Sequence, residues 1–289
     1  MSNPRIAYRL ASERASLPPL RGKRLLVHVV VNLEAWRFDE PMPRTILTPP
    51  RGEPALPDVP NFSWFEYGMR CGFPRILGTL KEHEIRASAA INSEVIDFYP
   101  AAAAQVLAAG WEFVAHGVRQ QTAHAVPDEM AMIVEALDRI ESFAGRRPTG
   151  WLGPGLAETA DTLDLLAEAG IEYVLDWPVD DLPEWIVTKS GRIVAVPYSL
   201  ELNDSVIHAV ERNPSAELYE RVRRTLDVFD TETVDQVRTL TIPLHPHLMG
   251  VPHRIGTLHE TLDLLTSHQS AVFVTGEQIT CWFREAEQG

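Results

Sequence analysis

Asn32 and Glu34 close an apolar run that begins at Leu25, and they stand two residues apart. On an extended strand both side chains therefore project from one face. A carboxylate so placed can act as a general base, bind a metal or cap a loop amide. His116 ends a second apolar run, Phe113-Val114-Ala115-His116-Gly117. His245 and His247 flank Pro246 after Ile242-Pro243-Leu244, and either imidazole can donate a proton near neutral pH. Asp176 beside Trp177 offers an acid able to orient a histidine and an aromatic wall, while Trp36 and Glu201 are further candidates for substrate contact. A His-x-x-x-His spacing would bring two imidazoles to one metal, but the fourth residue after His116 is Gln120, and His124 falls eight residues on. A glutamine oxygen is a poor zinc ligand. His28, inside the first run, reads as structural, and Trp151 and Trp185 read as packing residues. No G-x-S-x-G elbow supports serine chemistry.

A scaffold must hold these groups. Short Val- and Ile-rich runs alternate with amphipathic segments along nearly the whole chain. Candidate strands are Leu25–Leu33, Arg86–Asn92, Glu112–Gly117, Gly150–Pro154, Tyr173–Trp177, Ile193–Ser199, Thr239–His245 and Ala271–Thr275. From Pro127 to Ala144, Met130, Ile133, Val134, Leu137 and Ile140 recur at spacings of three and four, with Asp128 and Glu129 in the first turn and Gly145 past the end. Asn213-Pro214 reads as the opening of another helix carrying Leu218, Val222, Leu226 and Phe229. Thr257 with Glu260 reads as a capping box ahead of Leu262, Leu264 and Leu265. This alternation predicts a parallel sheet with helical crossovers. In such folds ligands bind at the carboxyl ends of strands, which is where Asn32, Glu34, Asn92, His116, Asp176 and His245 fall. No G-x-G-x-x-G follows the first strand and no G-x-x-x-x-G-K-S/T occurs, so nucleotide-binding versions lose weight. Seven of the 22 prolines lie between Pro41 and Pro60, predicting a long irregular loop over the mouth of a barrel. Specificity is expected to reside in the loops at 36–66 and 178–190.

Composition bounds the partners. With 26 Lys+Arg and 40 Asp+Glu the formal charge is −14, and no basic cluster exceeds Arg-Gly-Lys-Arg at 21–24. Nucleic-acid and anionic-membrane binding are therefore not expected. The apolar runs are too short to span a bilayer, and no signal-peptide h-region is evident at the N-terminus, so the expected location is cytoplasmic. Cys71 and Cys281 form neither a disulfide framework nor a metal knuckle.

The order of motifs resembles the polysaccharide deacetylase (NodB-homology) superfamily. It runs Asn-x-Glu at the first strand end, Ala-His-Gly, Arg-Pro-x-Gly-Trp-Leu-Gly-Pro-Gly, Asp-Trp and Leu-His-Pro-His. Arg146-Arg147-Pro148 through Gly155, Glu201-Leu202-Asn203-Asp204, and His245-Pro246 followed by Pro252-His253-Arg254 resemble the branch of cofactor-independent allantoinases and cyclic imide hydrolases. The likeness spans residues 25–283. It implies an α/β fold: a distorted (β/α) barrel of about seven strands, as one domain at 25–285 with an N-terminal extension at 1–24. It also implies hydrolysis of a non-peptide C–N bond, with a homodimer or homotetramer as the assembly. In the deacetylases the first strand ends in an Asp pair, one the base and one a metal ligand; Asn32 and Glu34 stand there instead. The metal-completing His-x-x-x-His becomes His116…Gln120. Absence of a metal is the favoured reading; the alternative is zinc or another divalent ion on Glu34, His116 and an outside group. Leu244-His245 maps onto the family's late Leu-His motif, Arg147-Pro148 onto its third and Asp176-Trp177 onto its fourth.

The leading expectation is ring-opening of a small cyclic amide, imide or ureide. Glu34 would be the base, His245 the acid, and His116 or a loop amide the oxyanion donor, with Asn32, Trp36, Asp176, Trp177, His247 and Glu201 about the substrate. A metal-dependent amino-sugar deacetylase and a catalytically inactive, ligand-binding barrel are the alternatives.

Overall fold

In a computed structural model, residues 3–48, 52 and 55–287 are described. The all-buried sequence Leu-Leu-Val-His-Val-Val-Val-Asn-Leu forms the central strand β1 (Leu25–Leu33). A nearly continuous apolar run suits a parallel strand covered on both faces. β2 (Ser88–Ile91), β3 (Glu112–Ala115), β4 (Gly150–Trp151), β5 (Tyr173–Val174), β6 (Glu184–Thr188), β7 (Gly191–Ala195), β8 (Arg238–Leu244) and β9 (Ala271–Phe273) complete the strands among the described residues. They lie in the order β6-β7-β5-β4-β3-β2-β1-β8, all parallel except the β6–β7 pair. β8 takes one edge of β1, so β2 and β9 share the other, pairing with Val30–Leu33 and Leu25–Val27 respectively.

The sheet curls without closing its ladder. Across the seam the Thr239 N–H donates to the Asp181 carbonyl (2.8 Å) and the Thr241 hydroxyl to the Pro197 carbonyl (2.6 Å). The expected barrel is thus a curled half-barrel with helices around it. Residues 178–190 depart from the expected loop: Glu184–Thr188 is the antiparallel edge strand of a hairpin with β7. The aromatic and β-branched run Trp185-Ile186-Val187-Thr188 before Lys-Ser-Gly carries that signal. Arg5, Arg9 and Arg14 of the N-terminal segment reach this hairpin; the Val187 N–H donates to the Arg5 carbonyl (2.9 Å), which covers part of the edge.

Around the sheet stand α1 (Val59–Tyr67), α2 (Phe73–Glu82), α3 (Val95–Phe98), α4 (Pro100–Ala108), α5 (Glu129–Ala144), α6 (Thr162–Glu168), α7 (Glu217–Glu232), α8 (Pro252–Ser267) and α9 (Gly276–Ala286). The Asp128 carboxylate caps α5 through the Ala131 N–H (2.9 Å), and Gly145 ends it at φ 73°. α8 corrects the expected capping box: Pro252 occupies its first turn and Thr257 lies inside it. Proline at the first helical position forfeits a donor that has no intrahelical partner there. α7 begins three residues beyond Pro214, with Leu218, Val222, Leu226 and Phe229 buried as the spacing predicts. Of the proline-rich loop, residues 49–51, 53 and 54 lie outside the described residues, and its far end is helical from Val59.

Strand parity sets the lumen. Leu25, Val27, Val29, Val31 and Leu33 pack outward under the helices, while Leu26 and Val30 pack inside with Val114, Leu152 and Leu175. His28 shares that inner face, wholly buried, and bonds Ser88 Oγ (2.8 Å). No helix among the described residues is long and apolar enough to cross a membrane.

Candidate active site

The inner-face parity of β1 continues through Asn32 to Glu34, and that of β8 through Thr241 and Pro243 to His245. Val31 pairs with Leu244, so the ends of these adjacent strands bring Glu34 and His245 side by side. His245 Nε2 stands 3.7 Å from Glu34 Oε1. Behind His245 lies Asp204, fully buried: one carboxylate oxygen accepts from Nδ1 (2.6 Å) and the other from the His245 backbone N–H (2.7 Å). These two contacts fix ring and main chain together. Asp204 belongs to a segment quoted above for resemblance, yet no role fell to it. Only folding places it 41 residues back along the chain against His245.

Glu34 is almost wholly buried, and both its oxygens accept N–H groups: Oε2 from Trp36 Nε1 (2.6 Å) and Oε1 from Gln120 Nε2 (3.0 Å). Burial pushes its pKa above the ordinary carboxylate value, further than His245, Trp36 and Arg44 pull it down. Burial alone would lower the His245 pKa, but Asp204 and Glu34 outweigh it and the net direction is upward. Both groups are thus displaced upward from their ordinary values, as at sites of proton transfer.

His247 is caged. Trp36, Trp64 and Phe65 surround it at ring-centroid distances of 5.4, 4.6 and 5.7 Å, and Trp36 stacks on Phe65 at 4.4 Å. Burial, with His245 and Arg44 nearby, holds His247 well below its ordinary pKa. A neutral imidazole follows.

His116 sits beneath the cavity rather than on its wall. Its Nδ1–H donates to the Leu152 carbonyl (2.6 Å), which can only accept, so the other nitrogen of the neutral ring is a lone pair. Burial lowers its pKa to about 4. No N–H remains for an oxyanion, which corrects the donor role expected for His116. Asn92 clamps the strand ends instead, accepting the Ala35 N–H (2.8 Å) and donating to the His116 carbonyl.

The remaining expected residues divide. Glu34, Trp36, His245 and His247 line one cavity of about 230 Å³, with Pro43, Arg44, Gln120, Thr122, Pro154, Gly155 and Ser205. Asn32 fastens the strand ends below it, its amide donating to Tyr198 OH (3.1 Å) and the Leu244 carbonyl (3.2 Å). Asp176 supports the wall by accepting the Gly153 N–H (2.7 Å), and Trp177 turns to Glu158 (2.9 Å). Two residues lie elsewhere: Glu201 is exposed beside Arg221 (3.5 Å), and Arg147 pairs on the surface with Asp138 (2.5 Å) and Glu141 (2.8 Å). The segment after Ser199 turns outward at Glu201, so Ser205, not Glu201, lines the cavity, with Asp204 buried behind His245.

A metal on Glu34 and His116 finds no set of three His, Cys, Asp or Glu residues to complete it among the described residues. Glu34 already accepts two N–H groups, and Gln120 turns its amide N–H, not its oxygen, toward that carboxylate. This donor set does not fit a divalent cation.

These features define a curled α/β half-barrel with a carboxylate and an imidazole side by side at its strand ends. A model of the polysaccharide deacetylase family matches residues 61–174. A protein of Schizosaccharomyces pombe named "Putative polysaccharide deacetylase" is 29% identical over 240 residues, covering 75% of this chain and 74% of that one. A peptidoglycan deacetylase of Helicobacter pylori is 24% identical over 135 residues, 46% of each chain. The crystal structure of the PuuE allantoinase superposes with a TM-score of 0.87 at 24% identity, covering 100% of both chains. Residues 61–174 are thus similar to the polysaccharide deacetylase family, and the chain shares the fold of the allantoinase structure. The deacetylases and the allantoinase among these relatives are hydrolases of C–N bonds other than peptide bonds.

Proposed function

We propose that this chain opens the ring of a small cyclic amide, imide or ureide by metal-independent hydrolysis. The observation that carries the reading is the Asp204–His245–Glu34 line at the floor of a cavity of about 230 Å³. That volume is below the roughly 300–1,000 Å³ of pockets for drug-sized ligands and suits one compact ring better than a polymer groove.

The cycle balances on these residues. Glu34 takes a proton from water as its oxygen bonds the ring carbonyl carbon. The tetrahedral adduct collapses, the ring C–N bond breaks, and His245, held as imidazolium by Asp204, delivers a proton to the departing nitrogen. Protonated Glu34 then returns its proton to His245 across the 3.7 Å between them, and the new carboxylic acid ionises. An imide or ureide suits this machinery because its leaving nitrogen delocalises charge. His247, neutral and boxed by aromatic rings, shapes the pocket.

Proton NMR of allantoin, hydantoin, succinimide and dihydrouracil incubated with chelator-treated protein tests the reading, with a chitin oligomer as the deacetylase control. Ring-opened products are expected at a rate that added zinc does not raise, and Glu34→Gln should cut that rate at least about 10²-fold with the fold intact. Acetate release from the oligomer on adding zinc would favour the deacetylase instead.

A further inference from the structure

Ring opening creates a charge that the neutral substrate lacks. The product carboxylate forms beside Glu34, a buried carboxylate, in a cavity of about 230 Å³. Something must meet that charge, and His116 has no N–H to offer. Among the lining side chains the permanent cation is Arg44. Nearby arginines are neutralised: Arg37 pairs with Glu94, and Arg119 with Glu40 (2.8 Å). Arg44 has no ion-pair partner among the described residues, yet its charge is felt by Glu34, His245 and His247.

The segment carrying Arg44 is also pinned. Asn61, buried at the start of α1, accepts the N–H groups of Ile46 (2.8 Å) and Leu47 (3.0 Å) and donates to the Leu47 carbonyl (3.0 Å). Asp58 holds the Asn61 amide in turn (2.8 Å). A guanidinium two residues from that clamp is presented to the cavity at little further ordering cost.

We infer that Arg44 is the anion-binding residue of this site: it receives the developing oxyanion and then the product carboxylate. The inference rests on the ring-opening reading and narrows it to neutral rings that open to a carboxylate. A planar two-pronged donor suits both species.

Binding without turnover separates this inference from the reading beneath it. Succinamate and N-carbamoylglycine are titrated against their neutral amides, succinamide and N-carbamoylglycinamide, by the quenching of tryptophan fluorescence. Each acid is expected to bind at least tenfold tighter than its amide. Arg44→Met should erase that preference while amide binding stays within twofold, and Arg44→Lys should keep part of it. Unchanged thermal midpoints keep the comparison on the site. Equal binding of acid and amide to the wild-type protein, or full acid preference in Arg44→Met, overturns the inference. Either result is independent of whether the NMR panel shows ring opening.

Discussion

Asp204 is the residue on which the proton-transfer scheme turns, since it both orients His245 and stabilises its charge. The proposed scheme runs with Glu34 ionised and His245 protonated. The rate should rise as pH passes the elevated Glu34 pKa and fall as pH passes the elevated His245 pKa, above its ordinary 6.5. Asp204→Asn removes what raises the imidazole, so the alkaline limb should move to lower pH and kcat fall by about 10²-fold. Trp36→Phe removes a hydrogen bond to ionised Glu34, so the acid limb should move to higher pH. A pH–rate profile of each variant checks both directions; a limb that stays in place removes that residue from the scheme. At this scale the candidates Glu34 and His245 were legible by type and by position at strand ends, and the structure brings them together at one cavity. Asp204, Arg44 and the two hydrogen bonds on Glu34 were not, because they depend on which loops meet above the sheet.

Among the elements, the joint between α1 and α2 is the least tolerant. Gly68 and Gly72 bracket a π-helical turn that presses against the 246–250 loop. A Cβ on Gly72 would stand 2.0 Å from the Pro246 carbonyl oxygen, and one on Gly68 2.4 Å from the His247 nitrogen. Gly72 has an ordinary right-handed φ of −72°, so closeness of approach, not backbone freedom, requires glycine. Gly72→Ala should cost about 2 kcal/mol by urea denaturation and displace His247, weakening ring binding. The four-residue spacing is visible as Gly-Met-Arg-Cys-Gly, but its meaning is a distance to another segment. α5, by contrast, was readable from its stripe and caps because those are local interactions.

At the scale of the whole molecule, the curled sheet is held at two places that no ladder covers. One is the seam, where Thr239 and Thr241 reach across from β8. The other is the N-terminal segment, where Arg14, with a side chain only 2% exposed, lies 3.2 Å from Asp180 and 3.0 Å from Glu184 and donates to the Pro183 carbonyl (2.8 Å). Removing one partner of such a cluster strands the others. Arg14→Met should cost about 3 kcal/mol in urea unfolding, with the pH–rate profile unchanged because the hairpin is remote from Glu34. A shifted profile would mean that the segment also shapes the site.

What the sequence by itself determined is what short-range physics writes. The alternation of apolar runs and amphipathic stripes specifies a parallel α/β sheet. Parity along a strand puts Asn32 with Glu34 on one face, and the chemical types at the strand ends mark the candidate edge. Only the tertiary structure decided which strand neighbours which, and hence that Glu34 meets His245, that Asp204 stands behind it, and that Glu201 turns to solvent. Strand order and loop approach are set by packing between segments far apart in the chain, and no periodicity within either segment encodes the distance between them.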